Sequence, residues 1–438
     1  MLPVLTARRL DHWVDPVAVF LGGLAAAPDA FWLDAGPAAD HGWSWLGEGV
    51  RSPGPAAVVC ADPGRAVDAG ADIPGPFHGG WIGWLGYDDA AERAGAPAAA
   101  EGRGEDRWLT VERFVAFDHA ARQVWIVAPA DELPAYADLV AQWARNGAGR
   151  PRTPAPASEA PVVRARHSGA TYAGLIERCR DAIRAGDAYQ LCLTTRFEVE
   201  AAIDPVAAFL ALREDTPSHH AAFIRIGDLA LASASPERFV QIADGIVRTH
   251  PIKGTRPRGT DATEDAALAA ELLASPKERA ENVMIVDLMR NDLQRVCLPG
   301  TVAAEALLQV ESYPAVHQLV SSVGGRLSPG IRFGDIVDAA FPAGSMTGAP
   351  KLSAMTILHA LEGGPRGVFA GTFGWVGADG AADLAMVIRS IVVHPGGAYV
   401  GAGGGITWGS EPAAEVAEVA LKARAPLAAL GAALPPGW

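Results

Sequence analysis

Two short segments of this chain pair glutamates at a spacing that suits a cation. In SPKERAENVMIVDLMRNDLQRV, residues 275–296, Glu278 and Glu281 stand three apart, and on a helix that spacing puts them on one face. Ser275 and Pro276 open the segment as a helix N-cap and first helical residue would. In EPAAEVAEVALKA, residues 411–423, Glu415 and Glu418 repeat the spacing after Pro412, with Lys422 one turn further on. Together two such faces offer several carboxylate oxygens to a hard cation. Mg²⁺ takes oxygen ligands and commonly binds through one or two carboxylates plus an anionic substrate. Either pair alone is better explained as a solvated first turn, where glutamate is favoured by the helix dipole.

Other segments carry nucleophilic, acidic or anion-binding groups. Lys253, in HPIKGTRPRG, sits between Pro and Gly rather than on a long polar face. Held there, a lysine can bind an anion or, if desolvated, act as a nucleophile. The plainer reading is a basic surface loop with Arg256 and Arg258. Glu237 follows the small and apolar run LALASAS, so burial would raise its pKa and suit it to general-acid work. In FPAGSMTGAPKL, residues 341–352, the spacing fails as a Walker phosphate loop, because Ala349 and Pro350 separate Gly348 from Lys351. Its backbone N–H groups and the Ser345 and Thr347 hydroxyls still suit an anion. VGAGGGI, residues 400–406, reads as a glycine-rich turn after the strand-like run from Met386 to Val393, and would let backbone approach a ligand. His317 reads first as a core histidine.

These residues need a scaffold, and the 438-residue chain is long enough for one. Half of it is hydrophobic and 20% is charged, a globular composition rather than a disordered one. A formal net charge of −14 argues against a nucleic-acid binder, which needs a basic face. No apolar run approaches a bilayer span, and the N-terminus lacks the apolar core of a secretory leader. Cys60, Cys179, Cys192 and Cys297 form no CxxC pair, which argues against zinc and disulfides. A cytoplasmic enzyme is expected. Residues 146–161, NGAGRPRTPAPASEAP, read as a Pro/Gly-rich linker between an N-terminal portion, 1–145, and a catalytic portion, 162–438. Short strands around Phe31-Trp32-Leu33 and Gly80 to Trp84 precede it. A helix from Tyr172 to Ala185 capped by Gly186, then strands from Tyr189 to Glu198 and Ala221 to Ile226, follow it. The class indicated is mixed α/β or α+β.

In combination and order, these motifs from about residue 165 to 425 resemble the chorismate-utilising enzymes, which include anthranilate, aminodeoxychorismate, isochorismate and salicylate synthases. The N-terminal third matches more loosely, through GGWIGWLGYD at 79–88 and FWLDAG at 31–36. The resemblance implies an α+β fold: two large, mostly antiparallel sheets packed as a sandwich with helices outside. It implies Mg²⁺ held by Glu281 and Glu418, supported by Glu278 and Glu415 directly or through water, with the metal holding the ring carboxylate of chorismate. Arg389 matches the arginine that grips the enolpyruvyl carboxylate. Gly403, Gly405 and Lys422 match residues lining the carboxylate sites, His317 and Thr347 match polar residues beside the ring, and Glu237 matches the acid that helps the 4-hydroxyl depart. An acidic protein binding a dianion must focus positive charge locally.

Two positions discriminate within the family. Water-using members carry a general-base lysine where this chain has Gln190, which argues against water as nucleophile. Anthranilate synthases read PIAGT where this chain reads PIKGT, and the Lys253 form resembles aminodeoxychorismate synthase component I. There the lysine attacks C2 as the C4 hydroxyl leaves, and ammonia then attacks C4 and expels the lysine from C2. Cys192 stands where Asn is often found, Phe369 where Tyr is often found, and Trp408-Gly409 interrupts the stretch before Ser410. The element from Leu33 to Gly36 resembles a place where some relatives bind tryptophan. No cysteine has the glycine context of a glutaminase nucleophile, so ammonia is expected from a separate glutamine amidotransferase subunit, forming a heterodimer, or from solution. The alternatives are anthranilate synthase component I, a nucleotide-binding protein, and a non-catalytic amino-acid sensor.

Overall fold

The computed structural model describes residues 3–61, 73–97, 99–102, 104–150, 161–313 and 316–438. Among these residues the strands form a twelve-stranded and a ten-stranded sheet, and the pairings are antiparallel throughout. The run Phe31-Trp32-Leu33 shows how the layers arise. It lies in the strand Asp29–Asp34, where successive side chains point to opposite faces. Phe31 and Leu33 join a core between the sheets with Trp45, Ile82, Trp84, Phe373 and Trp375. Ala30 and Trp32 face the other way, into a core that helices close. Both faces are covered, so the strand is a continuous apolar run rather than an alternating one. A third core, with Val286 and Ile336 on helices against Val240 and Val323 on strands, covers the outside of the ten-stranded sheet. The architecture is the expected α+β sandwich with helices outside.

The helix signals act as their sequences indicate. Ser275 caps Pro276–Gln294 by accepting the Glu278 N–H. Gly169–Ala185 ends at Gly186 in the left-handed conformation, and Pro412–Ala429 begins with its proline. Three local expectations need correction. VGAGGGI is no turn: it lies in the strand Gly397–Ile406, paired along its length with Gln190–Val199. The run from Met386 to Val393 is not one strand, because Ala382–Met386 lies in the ten-stranded sheet and Ser390–His394 in the other. Arg389 sits on the crossing between them. HPIKGTRPRG is no surface loop either, since Ile252–Pro257 is a strand pairing Val316–Arg326, with Lys253 opposite Leu319.

Strands from both sides of residues 146–161 pair within each sheet: Asp29–Asp34 with His220–Ile226, and Gly80–Leu85 with Thr372–Gly377. At the linker itself, the helix Leu133–Gly147 runs through its first two residues, and 151–160 lie outside the described residues. Cys60, Cys179, Cys192 and Cys297 are buried and unpaired. Among the described residues no helix is long and apolar enough to cross a membrane.

Candidate functional site

The strand Leu229–Ser235 ends just before Glu237, which is 6% exposed. Burial raises the Glu237 pKa, and the charges of Lys253 and Lys422 and the nearby Ser345 hydroxyl only partly offset it. Lys253 occupies the middle of the group. Its charge is felt by Glu237, Glu281 and Glu418, yet among the described residues it makes no hydrogen bond or ion pair of its own. A Cβ added to Gly405 would lie 3.8 Å from Lys253 Nζ and 2.5 Å from Gln190 Nε2. Glycine in this strand is therefore what lets the lysine and the glutamine converge on its backbone. The bulge after Lys253 follows the same logic: Gly254 has φ +76°, and its hydrogen faces the Glu278 carboxylate, which a Cβ would meet at 2.9 Å.

Several of these groups lack partners. Gln190 is fully buried with both amide atoms unpaired, and Glu281 Oε1 is buried without a hydrogen bond. Each such group costs about 1–3 kcal/mol if left unmet, so their concentration here marks a place that a ligand completes. Arg389 has the same character. Burial lowers its pKa against the pull of Glu418, and its backbone has φ +51°. A non-glycine residue held in the left-handed region stores strain of about 1–3 kcal/mol, and such strain concentrates at functional sites.

The four glutamates lie on the two helices that flank this group. Lys277 Nζ is 3.4 Å from Glu415 Oε1 and 4.0 Å from Glu281 Oε1. Burial raises the Glu281 pKa, with Lys253 and Lys277 opposing. Glu418 is more open and pairs with Lys422 at 2.8 Å. Burial acts against its charge, but Lys422, Lys277 and Lys253 outweigh it and hold its pKa low. Glu278 lies 3.7 Å from Arg256 Nη1. Among the described residues no three His, Cys, Asp or Glu side chains are gathered as a metal-holding group. The donor set still fits a small hard cation: it is all carboxylate oxygen, one buried oxygen is unpaired, and an ammonium already lies between two carboxylates.

Other residues singled out in the sequence already have partners within the chain. His317 is buried with Nδ1 2.7 Å from Ser312 Oγ and Nε2 2.9 Å from Asp265 Oδ1. The Thr347 hydroxyl turns back on its own loop, donating to the Ala343 carbonyl at 3.1 Å. Lys351 is spent on Asp292 at 2.7 Å and the Ala340 carbonyl, so the loop before it has no free lysine for a phosphate. Lys422 donates to the Gly403 carbonyl at 2.9 Å as well as pairing Glu418.

Sequence reasoning passed over Lys277, and also the buried pair Glu362 and Arg366. Arg366 binds both oxygens of Glu362 and donates to the carbonyls of Cys192 and Met346. It thereby ties the Gln190–Val199 strand to the loop that carries Ser345 and Thr347. The i,i+4 spacing of Glu362 and Arg366 was the only signal, and surface helices show it everywhere.

The element from Leu33 to Gly36 lies apart from this group. Asp34 is buried against Arg213 at 2.7 Å, and a cavity of about 330 Å³ between the sheets is lined by Asp34, Trp45, His220, Arg238 and Asp383. None of the residues around Lys253 lines it.

Comparison with known proteins bears on this arrangement. A family model described as chorismate binding enzyme matches residues 57–428. The chain is 42% identical over 378 residues to an aminodeoxychorismate synthase of Streptomyces pristinaespiralis, covering 84% of this chain and 52% of that protein. It is 39% identical over 451 residues to anthranilate synthase component 1 of Streptomyces coelicolor, covering 96% of this chain and 87% of that one. The chain thus spans about half the length of the first relative and most of the second. Among solved structures, anthranilate synthase component I of Streptococcus pneumoniae superposes with a TM-score of 0.71 at 30% identity, covering 88% of this chain and 92% of that one. The menaquinone-specific isochorismate synthase of Escherichia coli shares the fold, with a TM-score of 0.71 at 18% identity over 98% and 96% of the two chains.

Proposed function

The chain belongs to the family of chorismate binding enzymes, and on that premise we propose that it converts chorismate and ammonia to 4-amino-4-deoxychorismate. The observation that carries this reading is the Lys253 amine, unpartnered and set between Glu237 and Gln190. The Lys253 lone pair attacks C2 of the ring, the ring double bonds shift, and the C4–O bond breaks. Glu237, whose charged form burial disfavours, gives its proton to the departing hydroxyl, which leaves as water. Ammonia then attacks C4, the double bonds shift back, and the C2–N bond to Lys253 breaks. The lysine nitrogen sheds a proton as the adduct forms, which restores Glu237, and takes back the proton that the incoming nitrogen loses as it is expelled; no step breaks the enolpyruvyl ether. Gln190 offers a neutral amide where a general base would be needed to activate water. Arg389, partly buried and without an ion pair among the described residues, is suited to a substrate carboxylate.

Glu281 and Glu418, supported by Glu278 and Glu415 directly or through water, would hold Mg²⁺, which when bound would neutralise the ring carboxylate. Ammonia comes in this reading from a glutamine amidotransferase subunit. The family names support amination of chorismate at a coarse level, and the lysine route, the metal and the partner are our extension of it.

A second reading is favoured by one finding: the chain spans 87% and 84% of two anthranilate synthase relatives, against 52% of two aminodeoxychorismate synthases. In that reaction ammonia attacks C2 itself and pyruvate is released. Intact-protein mass spectrometry after mixing with chorismate separates the two. A mass increase confined to the peptide holding Lys253, absent from Lys253→Ala, is expected. An unmodified chain that still turns over chorismate would overturn the lysine route.

A further inference from the structure

We propose that Lys277 is a built-in counter-cation for the carboxylate group, and that a divalent cation must displace it to bind. This rests on the reading that the glutamates hold Mg²⁺. Lys277 stands one turn before Glu281 on the same helix and reaches across to Glu415 on the other. Its ammonium therefore sits between one carboxylate of each helix, 3.4 Å from Glu415 and 4.0 Å from Glu281. Glu415, 4% exposed, has no other side-chain partner among the described residues.

The fit of this ammonium is incomplete. The 4.0 Å gap to Glu281 is too long for a hydrogen bond, which is why Glu281 Oε1 stays unpaired. The Lys277 side chain is 50% exposed, and its flexible four-carbon stem can carry the charge out to solvent. Mg²⁺ bound to these oxygens would lie within a few ångströms of the ammonium, so the two cations exclude each other. Lys277 holds two like-charged helices together without metal and weakens the apparent affinity for metal, by the same differential interaction. Lys422 is unlike it, because it is also anchored to the Gly403 carbonyl.

The test is calorimetric titration of MgCl₂ into the metal-stripped full chain without substrate, with thermal melting alongside. Lys277→Met is expected to bind Mg²⁺ about tenfold tighter than wild type, to melt lower without metal, and to gain more from it. Lys277→Arg keeps the weaker affinity. If wild type binds Mg²⁺ and Lys277→Met binds it equally or more weakly, the proposal fails while the metal reading stands. If wild type binds none, both fail. A readout needing no variant is acylation of Lys277 in the native protein by an amine reagent, followed by peptide mass spectrometry. Its rate should rise several-fold on adding MgCl₂, and an unchanged or lower rate overturns the displacement.

Discussion

Glu362 with Arg366, and Glu281 with Lys277, are both carboxylate–cation pairs four residues apart in sequence, the first across a helix end and the second within a helix, yet they differ in how completely they are satisfied. Glu362 accepts from two Arg366 nitrogens and from the N–H and hydroxyl of Thr194. Arg366 is 2% exposed, lies over the Tyr87 ring and spends its remaining donors on backbone carbonyls. Asp88 receives the N–H groups of Arg366 and Gly367. Nothing in that network waits for a ligand. Glu281 keeps a buried unpaired oxygen, its lysine is half exposed, and Gln190 nearby is unpaired on both amide atoms. Full satisfaction rigidifies, whereas concentrated dissatisfaction marks where binding energy is available. The first pair builds the platform under the Gln190–Val199 strand, and the second belongs to the place that the platform supports.

The sharpest way to break this contrast is to remove the unpartnered lysine. Lys253→Ala should lower amination turnover by at least about 10⁴-fold, roughly 5.5 kcal/mol of barrier, while its urea midpoint stays near wild type. A variant that unfolds early would place Lys253 with the structural groups instead. Next is Arg366→Met, which strands a buried carboxylate and should cost about 3–5 kcal/mol of stability in urea unfolding. A loss under 1 kcal/mol would mean that the network is not the platform. Glu281→Gln should weaken Mg²⁺ binding in calorimetry by about 10–100-fold or more with little change in the melting temperature, and unchanged metal affinity would remove it from the ligand set.

The smallest effect concerns Glu237. Its folded pKa is raised by burial above the unfolded value. The stability it contributes is therefore fully present below the unfolded pKa and lost as pH rises through the folded one. Glu237→Gln escapes that loss, so it should melt about 1–3 °C above wild type at mildly alkaline pH, with the gap closing on acidification. The same variant should turn over slowly and lose the fall in rate that wild type shows as Glu237 deprotonates. A melting difference independent of pH would show that the carboxyl does not titrate there.

Much of this was readable from local sequence because the physics was local. Ser275 before Pro276, Gly186 after Ala185 and the three-residue glutamate spacings depend on neighbours within one or two turns, and each acts as its chemistry dictates. Lys253 and Glu237 could be named because a lysine between Pro and Gly and a glutamate after LALASAS are locally unusual. What local chemistry cannot supply is pairing. Gly401 to Gly405 look like a turn until Gln190–Val199, two hundred residues earlier in order, lies against them. The run from Met386 to Val393 reads as one strand because nothing in its composition marks the crossing at Arg389. Asp88 meets Gly367 across 279 positions, and the Lys277 contact with Glu415 spans 138. The sandwich itself was implied by family resemblance and not by periodicity, since strands buried on both faces lose their alternation.

The measurement that bears most directly on the account is product analysis from the purified chain with chorismate, MgCl₂ and ammonium at mildly alkaline pH. Chorismate and product would be followed by mass spectrometry, and pyruvate in the same tube. Consumption of chorismate without pyruvate, giving a product with an amine in place of a hydroxyl, is the predicted result. Stoichiometric pyruvate with fluorescent anthranilate would contradict it and assign Lys253 a different role.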